Sequence, residues 1–299
     1  LHESSLQYIR CVKCGQPLEM EIFEKKTEVV EGLLSCASCA GIYPIILSIP
    51  FLVEDLSSFF SIRAKLGGYI LLNVRNPKIK SVIKKSLQNI KKIGDDTTDL
   101  EKNWVNIYKK SKHSVFEKKI RNIVQRLEKC NFVIEHGCSI GTMSDIVAKR
   151  HGMIFGIDKS FFALLEAKKH KAKNMDFFLA DSLSKPFGSM KFDLVVALNV
   201  LELIEPMNFL KIVGMQSRKF LLLSDPYDYD RGKNSVKTRL DEKILRTRLK
   251  QMKFKLIQGT NKPNFISWKL NVNSRLELSY KVDMILAVIL SKQEWIKQK

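Results

Sequence analysis

The order of apolar and polar positions changes character near residue 131. Beyond it, short apolar runs alternate with amphipathic stretches. Phe132-Val133-Ile134 predicts a buried strand, followed by a polar loop and a helix over 142–150. Met153 to Ile157 predicts a second strand ending at Asp158, then a helix over 161–171. Asp176 to Ala180 is a third strand, Phe192 to Leu198 a fourth, and Phe220 to Leu223 a fifth, with a helix after Pro206 between the last two. A helix over 241–252, a strand near Phe254 to Ile257, an insertion over 261–273 and a last strand over 282–289 complete the pattern. Strands alternating with helices imply a parallel sheet with right-handed crossovers. The expected class is therefore α/β, a doubly wound, mostly parallel, seven-stranded sheet.

Residues 56–130 read differently. Trp104, Ile107, Tyr108, Phe116, Ile120, Ile123, Val124 and Leu127 recur at helical spacing. Gly94-Asp95-Asp96-Thr97-Thr98-Asp99 reads as a turn and a helix start. This segment is expected to be linker helices, serving either as a lid over a ligand site or as plain packing. Residues 43–53 form one apolar run, broken by Pro44 and Pro50, expected to be a buried strand. Three parts follow: 1–55, a helical linker or cap over 56–130, and the α/β unit over 131–299.

The cysteines sharpen the N-terminal part. Cys11-x-x-Cys14 and Cys36-x-x-Cys39 flank a spacer whose segment from Met20 to Leu34 suits a hairpin. Two residues between thiolates let both sulfurs of a knuckle reach one ion, and two knuckles close the tetrahedron that Zn²⁺ prefers. Four cysteine ligands leave no position open, so the ion would be structural. Two disulfides are the alternative, disfavoured in a reducing compartment. Cys130 and Cys138 read as small buried residues.

Charge adds a question rather than an answer. The net charge is +20, distributed as −2 over 1–70, +10 over 71–130, zero over 131–230 and +12 over 231–299. Such flanking excess suits RNA or another polyanion, or simply a lysine-rich surface. No apolar run approaches the ~18 residues that span a bilayer, and the first residues lack an export pattern, so a cytoplasmic, non-membrane protein is expected.

Two resemblances emerge from these motifs. Glu135-His136-Gly137-Cys138-Ser139-Ile140-Gly141, then Asp158, Asp181 and Phe192-Asp193-Leu194-Val195-Val196, resemble the class I S-adenosylmethionine (SAM)-dependent methyltransferases, a Rossmann-like family, over about residues 130–225. The middle glycine of the family's loop is replaced by Ser139. The resemblance implies that Gly137 and Gly141 let the backbone approach the cofactor and that Glu135 positions its methionyl end. Asp158 would accept the ribose hydroxyls, Asp181 and Ser182 would read the adenine edge, and Leu198 and Asn199 would line the sulfonium side. For the acidic residues, a helix cap or a loop charge is the alternative. Many relatives carry Val-Leu-Glu-His after the fourth strand; here the segment is Val200-Leu201-Glu202-Leu203, without the histidine. The cysteine knuckles, with Tyr43-Pro44-Ile45 and Ile49-Pro50-Phe51-Leu52, resemble the small zinc-ribbon activators of tRNA, rRNA and release-factor methyltransferases over about residues 8–54.

The expected function is thus SAM-dependent methyl transfer. The sulfonium methyl is already activated, so the chain mainly has to align the acceptor. Asp225-Pro226-Tyr227-Asp228-Tyr229-Asp230-Arg231 follows the fifth strand on the expected substrate rim, where Tyr227 and Asp228 suit an amine- or imidazole-type small molecule. His136, Asp225, Asp228 and Tyr227 are candidate bases. Trp268 is the aromatic to watch in the insertion. An RNA acceptor is the second reading, and a non-catalytic SAM-binding or zinc-ribbon interaction protein the third. The oligomeric state is not legible.

Overall fold

The computed structural model describes residues 1–111, 114–170, 172–232 and 235–290. Its centre is the expected sheet. Strands β5 (Phe132–His136), β6 (Met153–Asp158), β7 (Met175–Ala180), β8 (Phe192–Leu198) and β9 (Ser217–Asp225) run parallel. The crossovers carry α6 (Thr142–Ala148), α7 (Phe161–Ala167) and α8 (Pro206–Gln216). Strand β12 (Leu276–Ile289) returns antiparallel beside β9, and β10 (Phe254–Leu256), which follows α9 (Glu242–Gln251), pairs antiparallel with β12. The order β7-β6-β5-β8-β9-β12-β10 reverses direction of growth at β5, which creates the crevice where doubly wound sheets bind ligands. Both faces are buried. Leu194 and Val196 enter one apolar cluster while Val195 and Ala197 enter the other, as the two-residue period of a strand requires.

The sheet is larger than expected: twelve strands, not seven. The N-terminal segment forms β1 (Glu19–Lys25), β2 (Val29–Ser35), β3 (Ile42–Ile46) and β4 (Ile49–Leu52), a meander of antiparallel neighbours. Its last strand lies parallel to β7, with Phe51 opposite Leu179 and Leu52 opposite Ala180. The N-terminal segment therefore continues the central sheet instead of standing apart as a separate ribbon. The physical reason is the edge of β7, whose side chains are buried throughout; an open edge there would expose unpaired backbone groups. The single strand expected over 43–53 is a hairpin. Leu47 and Ser48 both take positive φ (49° and 67°), the twist that two-residue hairpin turns need.

Helices α1 (Leu56–Phe60), α2 (Ala64–Asn73), α3 (Pro77–Gln88), α4 (Thr98–Lys110) and α5 (Val115–Arg126) fill the linker. Buried Glu31 on β2 fixes the turn between α2 and α3, accepting from the amides of Arg75 and Asn76 at 2.8 Å each. Asn76 then caps α3 ahead of Pro77. The insertion is not a bare loop: β11 (Phe265–Asn273) folds back on β12 as a hairpin. Helices α4 and α5 pack on β11, and the Asn271 amide donates to Ser111 Oγ at 2.9 Å. This roof stands over the carboxyl ends of β5, β6 and β8. Among the described residues, no helix is long and apolar enough to cross a membrane.

Candidate active site

The end of β5 sets the site. Glu135 and His136 are neighbours on a strand, so their side chains leave opposite faces. Glu135 lines a cavity of about 520 Å³ between the sheet and its roof, while His136 turns away. Glu135 is buried and accepts from Ser144 Oγ of α6. Burial pushes its carboxyl up to about 8, despite the opposing pull of that hydrogen bond. His136 is fully buried, edge-on to Phe209, with Nε2 2.8 Å from Gln216 Oε1 on α8. Burial drives its pKa down to about 4. The structure thus corrects the expectation of a base at His136: it is a neutral core residue on the wrong face.

The loop from 137 to 141 carries three left-handed residues, Gly137 (φ 67°), Ser139 (φ 48°) and Gly141 (φ 71°). A Cβ on Gly137 would lie 2.7 Å from Val200 Cγ2, and one on Gly141 2.8 Å from Ala167 Cβ. These glycines are therefore demanded by conformation and by packing within the chain itself, not only by the approach of a ligand. Ser139, where the family has glycine, donates its amide to Asp158 Oδ2 at 2.9 Å. Asp158 Oδ1 accepts from the Ser160 amide at 2.8 Å, and Ser160 in turn caps α7. Burial raises the Asp158 carboxyl above its ordinary value even against these amide donors. Asp158 lines the cavity, so its remaining lone pairs face the space a ligand would occupy.

Lys159, Ala180 and Ser182 continue the wall. Asp181 stands just behind them. It accepts from the Leu183 amide at 2.8 Å and pairs with Lys159 Nζ at 2.7 Å, so it is a turn cap as well as a candidate adenine reader. Leu198 and Asn199 form the floor beyond β8. Asn199 takes φ 57°, with its Oδ1 accepting from Ser224 Oγ at 2.8 Å. The structure brings Glu135, Gly137, Asp158, Ser182, Leu198 and Asn199 to one cavity.

Tyr227 and Asp228 are not among its walls. The Tyr227 hydroxyl donates to Asp283 Oδ2 at 2.8 Å, and Asp283, fully buried on β12, is held by Arg246 of α9 through two contacts of 2.5 and 2.9 Å. Tyr227 therefore ties β9 to β12 and α9. Burial and the Asp283 charge raise its phenol far above the ordinary range, which removes it as a base. Asp225 likewise turns inward, accepting from the amides of Tyr227 (2.7 Å) and Glu202 (3.2 Å), with burial pushing its carboxyl up to about 7.

At the far end of the cavity Trp104, Tyr108, Arg231 and Trp268 line the wall, with Tyr280 behind them. Trp104 and Tyr108 on α4, Trp268 on β11 and Tyr280 on β12 form a run of rings with centroids 5.8, 6.5 and 5.4 Å apart. The guanidinium of Arg231 lies among them, 5.5 Å from Trp104, 5.8 Å from Trp268 and 5.6 Å from Tyr280. Its Nη1 pairs with Glu202, which is fully buried and whose carboxyl burial lifts to about 8. Trp268 had been singled out and does line the cavity. Trp104 and Tyr108 were visible only as helical apolar positions. Arg231 closes the 225–231 rim motif but has no role legible in it, because its ring partners are up to 127 positions away in the chain.

Comparisons with known proteins agree with this layout. A family model described as "Methyltransferase domain" matches residues 133–216. Among curated proteins, none matches the chain by sequence. Solved structures do match. One from a complex between the Haloferax volcanii Trm112 methyltransferase activator and a methyltransferase is 13% identical, covers 66% of this chain and 98% of its own, and superposes with a TM-score of 0.52. The N-methyltransferase NodS from Bradyrhizobium japonicum, bound to S-adenosylhomocysteine, is 15% identical over 66% of this chain and 100% of its own, with a TM-score of 0.49. Magnesium protoporphyrin IX methyltransferase from Synechocystis, bound to SAM, is 17% identical over 63% and 90%, with a TM-score of 0.47. Residues 133–216 thus match a methyltransferase-domain model, and the chain has the fold of the class I methyltransferases.

Proposed function

We propose that the chain transfers the methyl group of SAM to a small molecule held under the roof of α4 and β11. The observation that carries this reading is the single cavity of about 520 Å³ that runs from the left-handed loop of 137–141 to the aromatic end around Trp268. A cavity of that size fits the range of small-molecule sites. Its polar end offers what the cofactor needs: carboxylates at Glu135 and Asp158 for ammonium and hydroxyl groups, and a tight left-handed loop along the wall. Bound SAM would supply an electrophilic methyl. The chain's own share is placement: Glu135 and Asp158 hold the two ends of the cofactor, Leu198 and Asn199 wall its reactive side, and the roof excludes water.

The amine- or imidazole-type acceptor expected from sequence rested on Tyr227 and Asp228, and neither lines the cavity. The acceptor must be recognised by the aromatic end instead. In the same reading, Cys11, Cys14, Cys36 and Cys39 hold one structural Zn²⁺. Their Sγ atoms lie within 4.8 Å of one another, with Cys11 to Cys39 at 3.4 Å and Cys14 to Cys36 at 3.5 Å. Ligands about 2.3 Å from a shared tetrahedral ion require sulfurs ~3.8 Å apart, so the set fits zinc. The N-terminal part then acts as an activator-like brace in cis, the 56–130 helices as a cap, and 131–299 as the transferase.

Methyl-tritiated SAM, incubated with the protein and a cell extract split into RNA, protein and small-molecule fractions, tests the reading. Label is expected in the small-molecule fraction. Label in RNA would favour the basic surfaces as a nucleic-acid footprint, with a steep loss of activity in salt. No label in any fraction, with SAM still bound, would favour the non-catalytic reading.

A further inference from the structure

The proposed reaction leaves one group in the cavity without a role: a guanidinium in an aromatic box. Three features show that it is built in place. The box is formed from α4 and the β11–β12 hairpin, in which Trp268 stands opposite Tyr280, and helix and hairpin meet only through tertiary packing. Arg231 is then fixed from behind by its own turn. A Cβ on the next residue, Gly232, would lie 2.0 Å from the Glu202 carbonyl oxygen, so the backbone there is pressed directly onto the segment after β8. Finally, Glu202 is fully buried, and one of its carboxylate oxygens, Oε2, has no hydrogen-bond partner among the described residues.

A guanidinium presents five N–H donors in a planar fork. Glu202 takes one through Nη1, and the Tyr108 hydroxyl is a second partner. Arg231 still lines the cavity, so donors remain for a ligand there. Among the described residues, Glu202 is the carboxyl group in direct contact with it, and the rings around it attract a cation by their faces without neutralising it. A cationic acceptor entering the same space would meet a cation already seated. An acid would meet a preorganised donor fork inside apolar, aromatic walls, where a charged hydrogen bond gains strength.

From this juxtaposition of Arg231, Glu202 and the ring box of Trp104, Tyr108, Trp268 and Tyr280, we propose that the acceptor is a flat, largely apolar molecule bearing a carboxylate, and that Arg231 binds that carboxylate. The inference rests on the methyltransferase reading and names the acceptor class for the same cavity. It assigns Arg231 to binding and specificity, and the methyl-accepting atom to another part of the molecule. It replaces the amine preference with an acid preference.

The test uses the full chain saturated with S-adenosylhomocysteine, titrated calorimetrically with benzoate, benzamide and benzylamine. Benzoate is expected to bind at least about tenfold more tightly than either analogue, the discrimination a charged hydrogen bond supplies. Arg231→Gln should erase that preference, and Arg231→Lys should keep part of it, as a point charge without the fork. Glu202→Gln removes the internal competitor and should tighten benzoate severalfold; this variant keeps the test sharp if Arg231→Gln is too unstable to study. Trp104→Leu should weaken all three probes alike. Equal affinities, tighter benzylamine, undetectable benzoate, or an unchanged preference in Arg231→Gln would each overturn the inference. Failure of the wild-type chain to bind S-adenosylhomocysteine would count instead against the methyltransferase reading beneath it.

Discussion

The amide of Ser139 donates to Asp158 Oδ2 at 2.9 Å, joining the loop after β5 to the end of β6. A serine in a left-handed conformation costs about 1–2 kcal/mol relative to glycine. The Asp158 carboxylate offsets that cost by giving the amide a charged acceptor, and the second oxygen does the same for Ser160 at the start of α7. One side chain thus sets the loop, starts a helix and faces the cavity.

Asp158→Ala should accordingly weaken S-adenosylhomocysteine binding by about 1.5–3 kcal/mol, the worth of hydrogen bonds to a charged group. Calorimetry checks this. Unchanged affinity, with the variant folded, would place the ribose elsewhere.

Glu135 couples the site to pH. Its folded pKa of about 8 lies above the ~4.3 of an unfolded glutamate. Its contribution to stability is therefore fully present below about pH 4.3 and is lost as pH climbs through about 8. Glu202, also about 8, and Asp225, about 7, act in the same direction. Unfolding followed by urea from pH 5 to 9 should show the ligand-free chain losing stability with rising pH, and Glu135→Gln losing less. Cofactor binding near pH 7, which brings an ammonium group, should release a proton, read as a dependence of binding heat on the buffer's ionisation enthalpy. A variant with the wild-type pH slope would remove Glu135 from this account.

Gly141→Ala asks whether the loop glycine serves packing. The added Cβ meets Ala167 Cβ at 2.8 Å and Phe177 Cζ at 3.1 Å while φ stays at 71°. Left-handed strain and overpacking together predict a cost of about 2–4 kcal/mol even without cofactor. Chemical denaturation of the ligand-free protein measures it. A loss seen only in cofactor affinity would restore the simpler explanation of backbone approach.

Tyr227→Phe separates scaffold from site. It removes the hydroxyl that donates to Asp283 but leaves Arg246 on that carboxylate. The expected stability loss is about 1 kcal/mol, with methyl transfer and cofactor affinity unchanged. A large fall in turnover in a stably folded variant would return Tyr227 to the substrate rim.

Zinc removal should reach further than the N-terminal segment. Cys36→Ser is expected to abolish a one-to-one zinc content and, because β4 pairs with β7, to destabilise the whole chain by about 4 kcal/mol or more, read as a lower urea midpoint. Metal analysis of freshly reduced protein and the unfolding curve read the two effects. Absence of zinc from the wild-type chain would remove the metal from this account.

The local pattern was sufficient for the parallel sheet. Runs such as Phe192 to Leu198 are buried on both faces, and only a strand covered by helices on each side has that composition. The same holds for the place of the 137–141 loop and of Asp158 at strand ends beside the cavity. What lay beyond the sequence depends on contacts distant in the chain. Periodicity put Glu135 and His136 in a loop after Ile134, whereas the strand runs on to His136, and it could not say which side chain faced the cavity; α8, through Phe209 and Gln216, closed over His136. Nor could the loop after β9 reveal whether Tyr227 or Arg231 faced the cavity. That was decided when Asp283 on β12 captured the tyrosine hydroxyl and the rings of α4 and β11 received the guanidinium. The cysteine spacing anticipated the cluster of four thiols, whose sulfurs lie within 4.8 Å of one another. The joining of β4 to β7 had no local signature, because edge pairing is backbone hydrogen bonding, which any sequence can supply once geometry brings the strands together.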